Sequence, residues 1–181
     1  MKRKILAVSL LIAMPLSVMA ADGDITFNGK VVASACTLKG IDGGTQTTGA
    51  IVTLADVTPK SFIGAGGYAG MKDFTIDLKD CDITTVKNAS VSFSGTPDTA
   101  DNSILKNNAA TTPAAGVGIA ILENDGATPV SINGGEPSAK QILLAGDTSL
   151  KFKVAYKANT STPAVTAGDV SAKSFIDVTY Q

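Results

Sequence analysis

The chain has 181 residues, 15 Lys+Arg against 16 Asp+Glu, no histidine, no tryptophan and a single arginine, Arg3. Without histidine there is no Ser-His-Asp triad, no Cys-His pair, no His-bearing zinc site and no histidine pH switch. A formal net charge of −1 leaves no electrostatic footprint for nucleic acid, and the length suits a single domain.

Residues 1–20 have the three parts of a secretory signal peptide. Lys2, Arg3 and Lys4 form a positive start, an apolar stretch runs from Ile5 to Leu16, and Val18-Met19-Ala20 ends it with small residues at the −3 and −1 positions. A membrane anchor is the competing reading. However, Ile5–Ala20 is 16 residues long and contains Pro15, whereas a spanning helix needs about 20 apolar residues. Cleavage is therefore expected before Ala21. It leaves 161 residues with 12 lysines against 16 acids, a net charge of −4. Export also sets the meaning of Cys36 and Cys81, which in an oxidising compartment most simply form one disulfide. A redox pair or a metal site is the alternative, but the spacing is not C-x-x-C.

Beyond Ala21, period-two alternation predicts strands. In chain order the apolar sets are Ile25, Phe27, Gly29 and Val31; Phe74, Ile76 and Leu78; Val91 and Phe93; and Val117, Ile119 and Ile121. They continue with Leu150, Phe152, Val154 and Tyr156, and the last alternating run sets Ser174, Ile176, Val178 and Tyr180 out of phase with Phe175, Asp177 and Thr179. Turn-forming clusters separate them at 40–44, 64–70, 96–98 and 133–135, and Asn124-Asp125-Gly126 reads as a hairpin turn. No helix longer than a turn or two is expected. Strands with one apolar and one polar face predict an all-β, two-sheet antiparallel sandwich. The final strand runs to Gln181 and carries no proline and one charge, Asp177, so nothing blunts it as an edge. It is either paired internally on both sides or kept open for a partner.

These residues resemble the fimbrial subunits of the chaperone–usher pathway, of the type 1 and P pilus kind. The likeness spans the whole chain. It rests on the leader, on Ile25-Thr26-Phe27-Asn28-Gly29-Lys30-Val31-Val32 followed by Cys36-Thr37, and on Phe74 to Asp82 around Cys81. It rests also on Val117 to Leu122 and on Ser174 to Gln181, with a penultimate aromatic and Gly168 fourteenth from the end. The resemblance implies an incomplete immunoglobulin-like β-sandwich that lacks its last strand and is completed by a donor strand. It implies a donor extension at 21–31 merging into the first strand, with Ile25, Phe27, Gly29 and Val31 as donor side chains, and a pilin domain at 32–181. The acceptor edge would comprise Gly168, Val170, Ile176, Val178, Tyr180 and Gln181, with basic residues of the chaperone gripping the Gln181 carboxylate. Implied partners are neighbouring fimbrial subunits, in a homopolymer or a mixed fibre, a periplasmic chaperone and an outer-membrane usher. No nucleic acid, cofactor or metal is implied.

Cys36 is only the sixteenth residue after the expected cleavage, a short lead for a main-rod subunit, so rod, tip and adaptor positions stay open. The glycines of 64–70 lack phosphate-loop spacing, and Asp77, Asp80 and Asp82 do not form a calcium loop. The resulting expectation is a non-enzymatic structural subunit of a bacterial surface fimbria that supports adhesion. A minor tip or adaptor subunit and a secreted, monomeric carbohydrate-binding β-sandwich are the alternatives, with a secreted hydrolase behind them.

Overall fold

The structure, a computed structural model, describes residues 35–45, 50–63, 66–160 and 164–181. Among these residues the regular structure is β-strand apart from one 3-10 turn, Pro59–Ser61. Eight strands are present: β1 Thr37–Ile41, β2 Tyr68–Cys81, β3 Asn88–Gly95, β4 Leu105–Lys106, β5 Val117–Glu123, β6 Gln141–Ile142, β7 Gly146–Ala158 and β8 Ser174–Tyr180. They form a five-stranded sheet in the order β1-β2-β7-β5-β4 and a three-stranded sheet in the order β6-β3-β8. Every ladder between named strands is antiparallel.

The long strands arise where the alternation is cleanest. In β2, Phe74, Ile76 and Leu78 point inward, and in β7 Leu150, Phe152 and Val154 do the same. The β2–β7 register sets Phe74 opposite Phe152 and Ile76 opposite Leu150, so the apolar rows of the two strands coincide. Phe152 then reaches the other sheet, with its ring 5.7 Å from Phe74 and 5.3 Å, edge-on, from Phe93 of β3. This aromatic trio joins the two layers.

Two departures from simple alternation have visible causes. β5 is buried on both faces from Val117 to Leu122 rather than on one. On its outer side Ile104 packs beside Gly118, and at its end the returning chain pairs with it edge to edge through the Leu122–Pro129 bridge. That return is made at Asp125-Gly126, where Gly126 takes φ +72° and the Asp125 carboxylate accepts from Ala127 N and Thr128 N. The turn regions at 40–44 and 64–70 are also narrower than their composition suggests. Gly40 and Ile41 complete β1, and Tyr68-Ala69-Gly70 open β2.

The stretch 130–143 crosses between the layers and is sewn down largely by side chains. Ser138 Oγ accepts from Val91 N, Asn133 brackets Gly95 N and O, and Gln141 brackets Lys151 N and O. Short edges are thus closed by amides and hydroxyls where no strand continues.

Cys36 and Cys81 are bonded, and their Cα atoms are 4.1 Å apart. The disulfide ties the entry of β1 to the exit of β2, and both residues are buried in the main core. Closing a 45-residue separation removes about 4 kcal/mol of unfolded-state entropy in the chain-entropy model. Cys36→Ser is expected to lower stability by roughly 2–5 kcal/mol and to cut periplasmic yield. Chemical denaturation and yield measured against wild type check this, and an unchanged midpoint would contradict a stabilising role for the bond.

Candidate functional site

The carboxyl-terminal strand has one sealed neighbour and one open side. β8 pairs with β3 in unbroken register from Ser94↔Phe175 to Ala89↔Tyr180, and among the described residues β3 is its only ladder partner. The inward residues of β3 are sealed, with Ala89 and Val91 at 0% and Phe93 at 3% exposure. The inward residues of β8 and of the chain leading into it, Val170, Ala172, Ile176, Val178 and Tyr180, pack on the same core but are only half-buried. The alternation of burial runs without a break from Val170 to Tyr180, so one row, apolar apart from Ser174, stands partly in solvent.

A second strip has the same character. Residues 50–57 belong to no strand, yet Val52 and Leu54 lean half-buried on the main core. Val57 leans on a satellite core of Phe62, Ala69, Ala114, Val117 and Ala158. No main-chain hydrogen bond joins 50–57 to β8 among the described residues. The sequence reading missed this strip, although Val52 and Leu54 alternating with Ile51, Thr53 and Ala55 carry the same period-two signal. Val170 touches both cores. Beside it a cavity of about 460 Å³ is lined by Asp56, Val57, Phe62, Tyr156, Val165 and the 166–170 stretch, among others. A larger hollow of about 540 Å³, between the 124–129 turn and 131–141, is lined by no residue of β8 or of 50–57.

The predicted acceptor residues fall as follows. Val170, Ile176, Val178 and Tyr180 share the inward row. The Tyr180 hydroxyl donates to Cys36 O at 3.3 Å, which links the end of β8 to the disulfide. Gln181 is bound back onto the start of β3. Its N donates to Asn88 O, and its main-chain oxygen accepts from Lys87 N and Asn88 N, all at 2.9 Å. Its Nε2 donates to the buried Ser90 hydroxyl at 3.2 Å. Gly168 is set apart from the row. It packs against 112–114 so closely that a Cβ there would lie 2.4 Å from Thr112 O and 2.5 Å from Ala114 N. Only glycine permits that approach. On the outer face, Phe175 is 61% exposed beneath the Lys173 ammonium, 5.1 Å from the ring centroid. The expected donor residues Ile25, Phe27, Gly29 and Val31 lie outside the described residues.

Chemically, the arrangement offers a strand edge that is unpaired among the described residues, beside a half-buried row of mostly apolar side chains. Such a site takes another strand, which adds main-chain hydrogen bonds and buries alternate side chains. The described residues thus define the class: an immunoglobulin-like β-sandwich subunit whose terminal strand is open for pairing.

The comparisons with known proteins agree with this. The family model described as fimbrial protein matches residues 25–181. The fimbrial subunit ElfA of Escherichia coli is 38% identical over 171 residues, covering 91% of this chain and 90% of its own. Among solved structures, a type I fimbria protein of Burkholderia pseudomallei is 33% identical with a TM-score of 0.57, covering 77% of this chain and 87% of that one. The P pilus rod subunit PapA, at 21% identity and a TM-score of 0.62, shares the fold over 82% of this chain and all of its own. The chain belongs to the fimbrial protein family, and it is a structural subunit of a bacterial surface fimbria that associates with other fimbrial subunits.

Two predictions follow from this geometry. Gly168→Ala is expected to cost about 1–3 kcal/mol, because Thr112 and Ala114 main chain must shift to admit the methyl group. Denaturant midpoints measure it, and an unchanged midpoint would mean that the 112–114 segment yields freely. The second concerns pH. Burial pushes the Tyr180 phenol above its ordinary value of 10.0. Because the folded value is raised, this stabilisation is fully present below pH 10 and is lost as pH rises through the folded value. Tyr180→Phe should therefore be less stable than wild type near neutrality, and the gap should narrow as pH rises from about 10 through the folded value. A constant gap across that range would place the phenol in water.

Proposed function

We propose that this chain polymerises by donor-strand exchange, after a periplasmic chaperone delivers it to an outer-membrane usher. The observation that carries the proposal is the half-buried row Val170, Ala172, Ile176, Val178 and Tyr180 on a strand whose inward-facing partner row on β3 is sealed. In this reading residues 1–20 are a signal peptide, 21–31 form the donor extension and 32–181 the pilin domain. The β8 row and residues 50–57 are the two lips of a groove. Ile25, Phe27, Gly29 and Val31 of a neighbouring subunit enter it as alternate side chains. Gly29 faces a position too shallow for a larger group.

Donor-strand complementation of pilins by their chaperones is a known case of strand addition at a sheet edge. Three buried side chains, with Gly29 adding little, would contribute about 5–9 kcal/mol before the cost of ordering the extension. Release must unzip a ladder within a packed core, so the joined state should be kinetically very stable. Before the chaperone leaves, the groove would be shielded from the aggregation that an open apolar edge invites. The chaperone's basic grip on Gln181 would replace the hydrogen bonds that Lys87 N and Asn88 N now make to its main-chain oxygen. As part of the fibre, the subunit would support adhesion as stalk or adaptor.

The experiment is to shear surface material from expressing cells and compare unheated with acid-boiled samples on a denaturing gel. A ladder of multimers that collapses to one band only after the harsh treatment is the expected result. A lone monomer band in both lanes would overturn the proposal. In the same assay Gly29→Leu is expected to abolish the ladder while leaving chaperone-bound subunit in the periplasm. Wild-type ladders from that variant would remove Gly29 from the donor set.

A further inference from the structure

Asn107 lies just past β4, half-buried, in no strand and outside the apolar row. Its carboxamide is nonetheless used to capacity. Nδ2 donates to Ala114 O and to Asp169 O at 2.9 Å each, and Oδ1 accepts from Ala109 N and from Ser171 N at 3.0 Å each. An asparagine amide has two donor hydrogens and two acceptor lone pairs. All four are engaged, and all four partners are main chain. Two partners belong to the loop that Asn107 itself begins, and two belong to the segment that leads into β8. One side chain therefore folds the 107–115 loop and fastens it to the start of the open edge.

The surrounding bonds depend on that loop holding its shape. Asn108 N donates to Ser171 O at 2.7 Å, Asp169 N donates to Thr112 O, and Ala114 N donates to Asp169 O at 2.9 Å. Val170 stands between the two residues of the lead-in that Asn107 holds, at the point where the apolar row meets the satellite core. The other end of β8 is secured differently, by the ladder to β3 and by the Gln181 bonds to Lys87 and Asn88. The leading end thus depends on one side chain together with the main-chain bonds around it, whereas the trailing end has the β3 ladder, the Gln181 bonds and the Tyr180 hydroxyl.

We infer that Asn107 is the positioning residue for the leading end of the acceptor edge: its carboxamide fixes where Val170 and Ala172 stand, and with them the groove that the donor strand must fit. The inference rests on the strand-addition reading for its functional half. Its structural half stands on the hydrogen bonds alone. Asn107 touches no donor side chain. It acts through the main chain of 169–171.

The test uses the full chain exported to the periplasm and purified, as wild type, Asn107→Ala and Asn107→Asp. Asn107→Asp has the same shape and keeps the acceptor for Ala109 N and Ser171 N, but it turns the two donors into an oxygen that faces Ala114 O and Asp169 O. It therefore serves if Asn107→Ala does not fold. Amide hydrogen exchange is read first. In Asn107→Ala, the amides of Ala109, Ala114, Asp169 and Ser171 should exchange at least about tenfold faster, while Thr179, Gln181 and the β7 amides stay within about twofold of wild type. In Asn107→Asp, Ser171 should stay better protected than in Asn107→Ala. Equal acceleration in both halves of β8, or none anywhere, would overturn the inference, since a residue that only adds global stability loosens everything together.

Uptake of a synthetic peptide of residues 21–34 is read second. It should be slowed at least about fivefold in Asn107→Ala. Unchanged uptake by the variant, alongside a wild type that takes the peptide, would also overturn the inference. A wild type that takes up no peptide sinks the strand-addition reading instead. The exchange pattern alone then decides whether Asn107 holds the end of β8.

Discussion

The structure depends on an imbalance at one strand. β3 is covered on both edges and its inward side chains are dry. Among the described residues β8 is covered on one edge, and its inward side chains are half-wet. A sandwich gains its stability by removing apolar rows from water, and every unpaired N–H and C=O along an edge adds a group that wants a partner. Here both deficits fall on the same strand. The half-buried row that includes Val170, Ile176, Val178 and Tyr180 and the edge of β8 that has no ladder partner among the described residues are two deficits that one further strand would meet. That coincidence separates an unfinished sandwich from a closed one with an ordinary exposed edge.

The rest of the molecule keeps that strand presentable while it waits. A strand held on one side only tends to fray from its ends. At the trailing end, Gln181 closes onto Lys87 and Asn88, and the Tyr180 hydroxyl reaches the carbonyl of Cys36. The disulfide fixes that carbonyl by joining the entry of β1 to the exit of β2, so the bond supports the open edge as well as the core. At the leading end, Gly168 lets the chain lie against 112–114, and Asn107 binds the two segments together. The centre is held by Phe152, whose ring meets Phe74 in its own sheet and Phe93 in the other. Irregular stretches elsewhere are closed by Asn133, Ser138, Gln141 and Thr148, each of which stands in for ladder bonds that no strand supplies.

Much of this was legible before any coordinates. The alternation in β2, β3, β7 and β8 places Phe74, Val91, Phe152 and Val178 on the faces they occupy, because one buried face imposes period two on the residues themselves. The cysteine pair was legible from the leader-like composition of the first twenty residues and the compartment it implies. The second apolar strip, Val52 and Leu54, carried the same signal but is short and lies beside a Thr/Gly-rich stretch, so it does not stand out from loop. β4 and β6 have two residues each, too few to show any period. β5 misleads in the other direction. Its second face, Gly118, Ala120 and Leu122, is apolar and buried as well, with Ile104 packed beside Gly118, and alternation cannot reveal what a distant segment will cover.

The sequence by itself determined the class of fold, the faces of the long strands, the disulfide partners and the unblunted carboxyl-terminal run, since each is written in spacing and residue type over a few positions. Only the tertiary structure decided that β8 has a single ladder partner among the described residues and that its inward row is left half-open. The tertiary structure likewise decided that Gly168 is required by a neighbouring main chain and that Asn107 bonds to segments on both sides of a sheet boundary. The physical reason is range. Period, charge and turn chemistry act along the chain, whereas burial, close approach and hydrogen-bond saturation depend on residues tens of positions away.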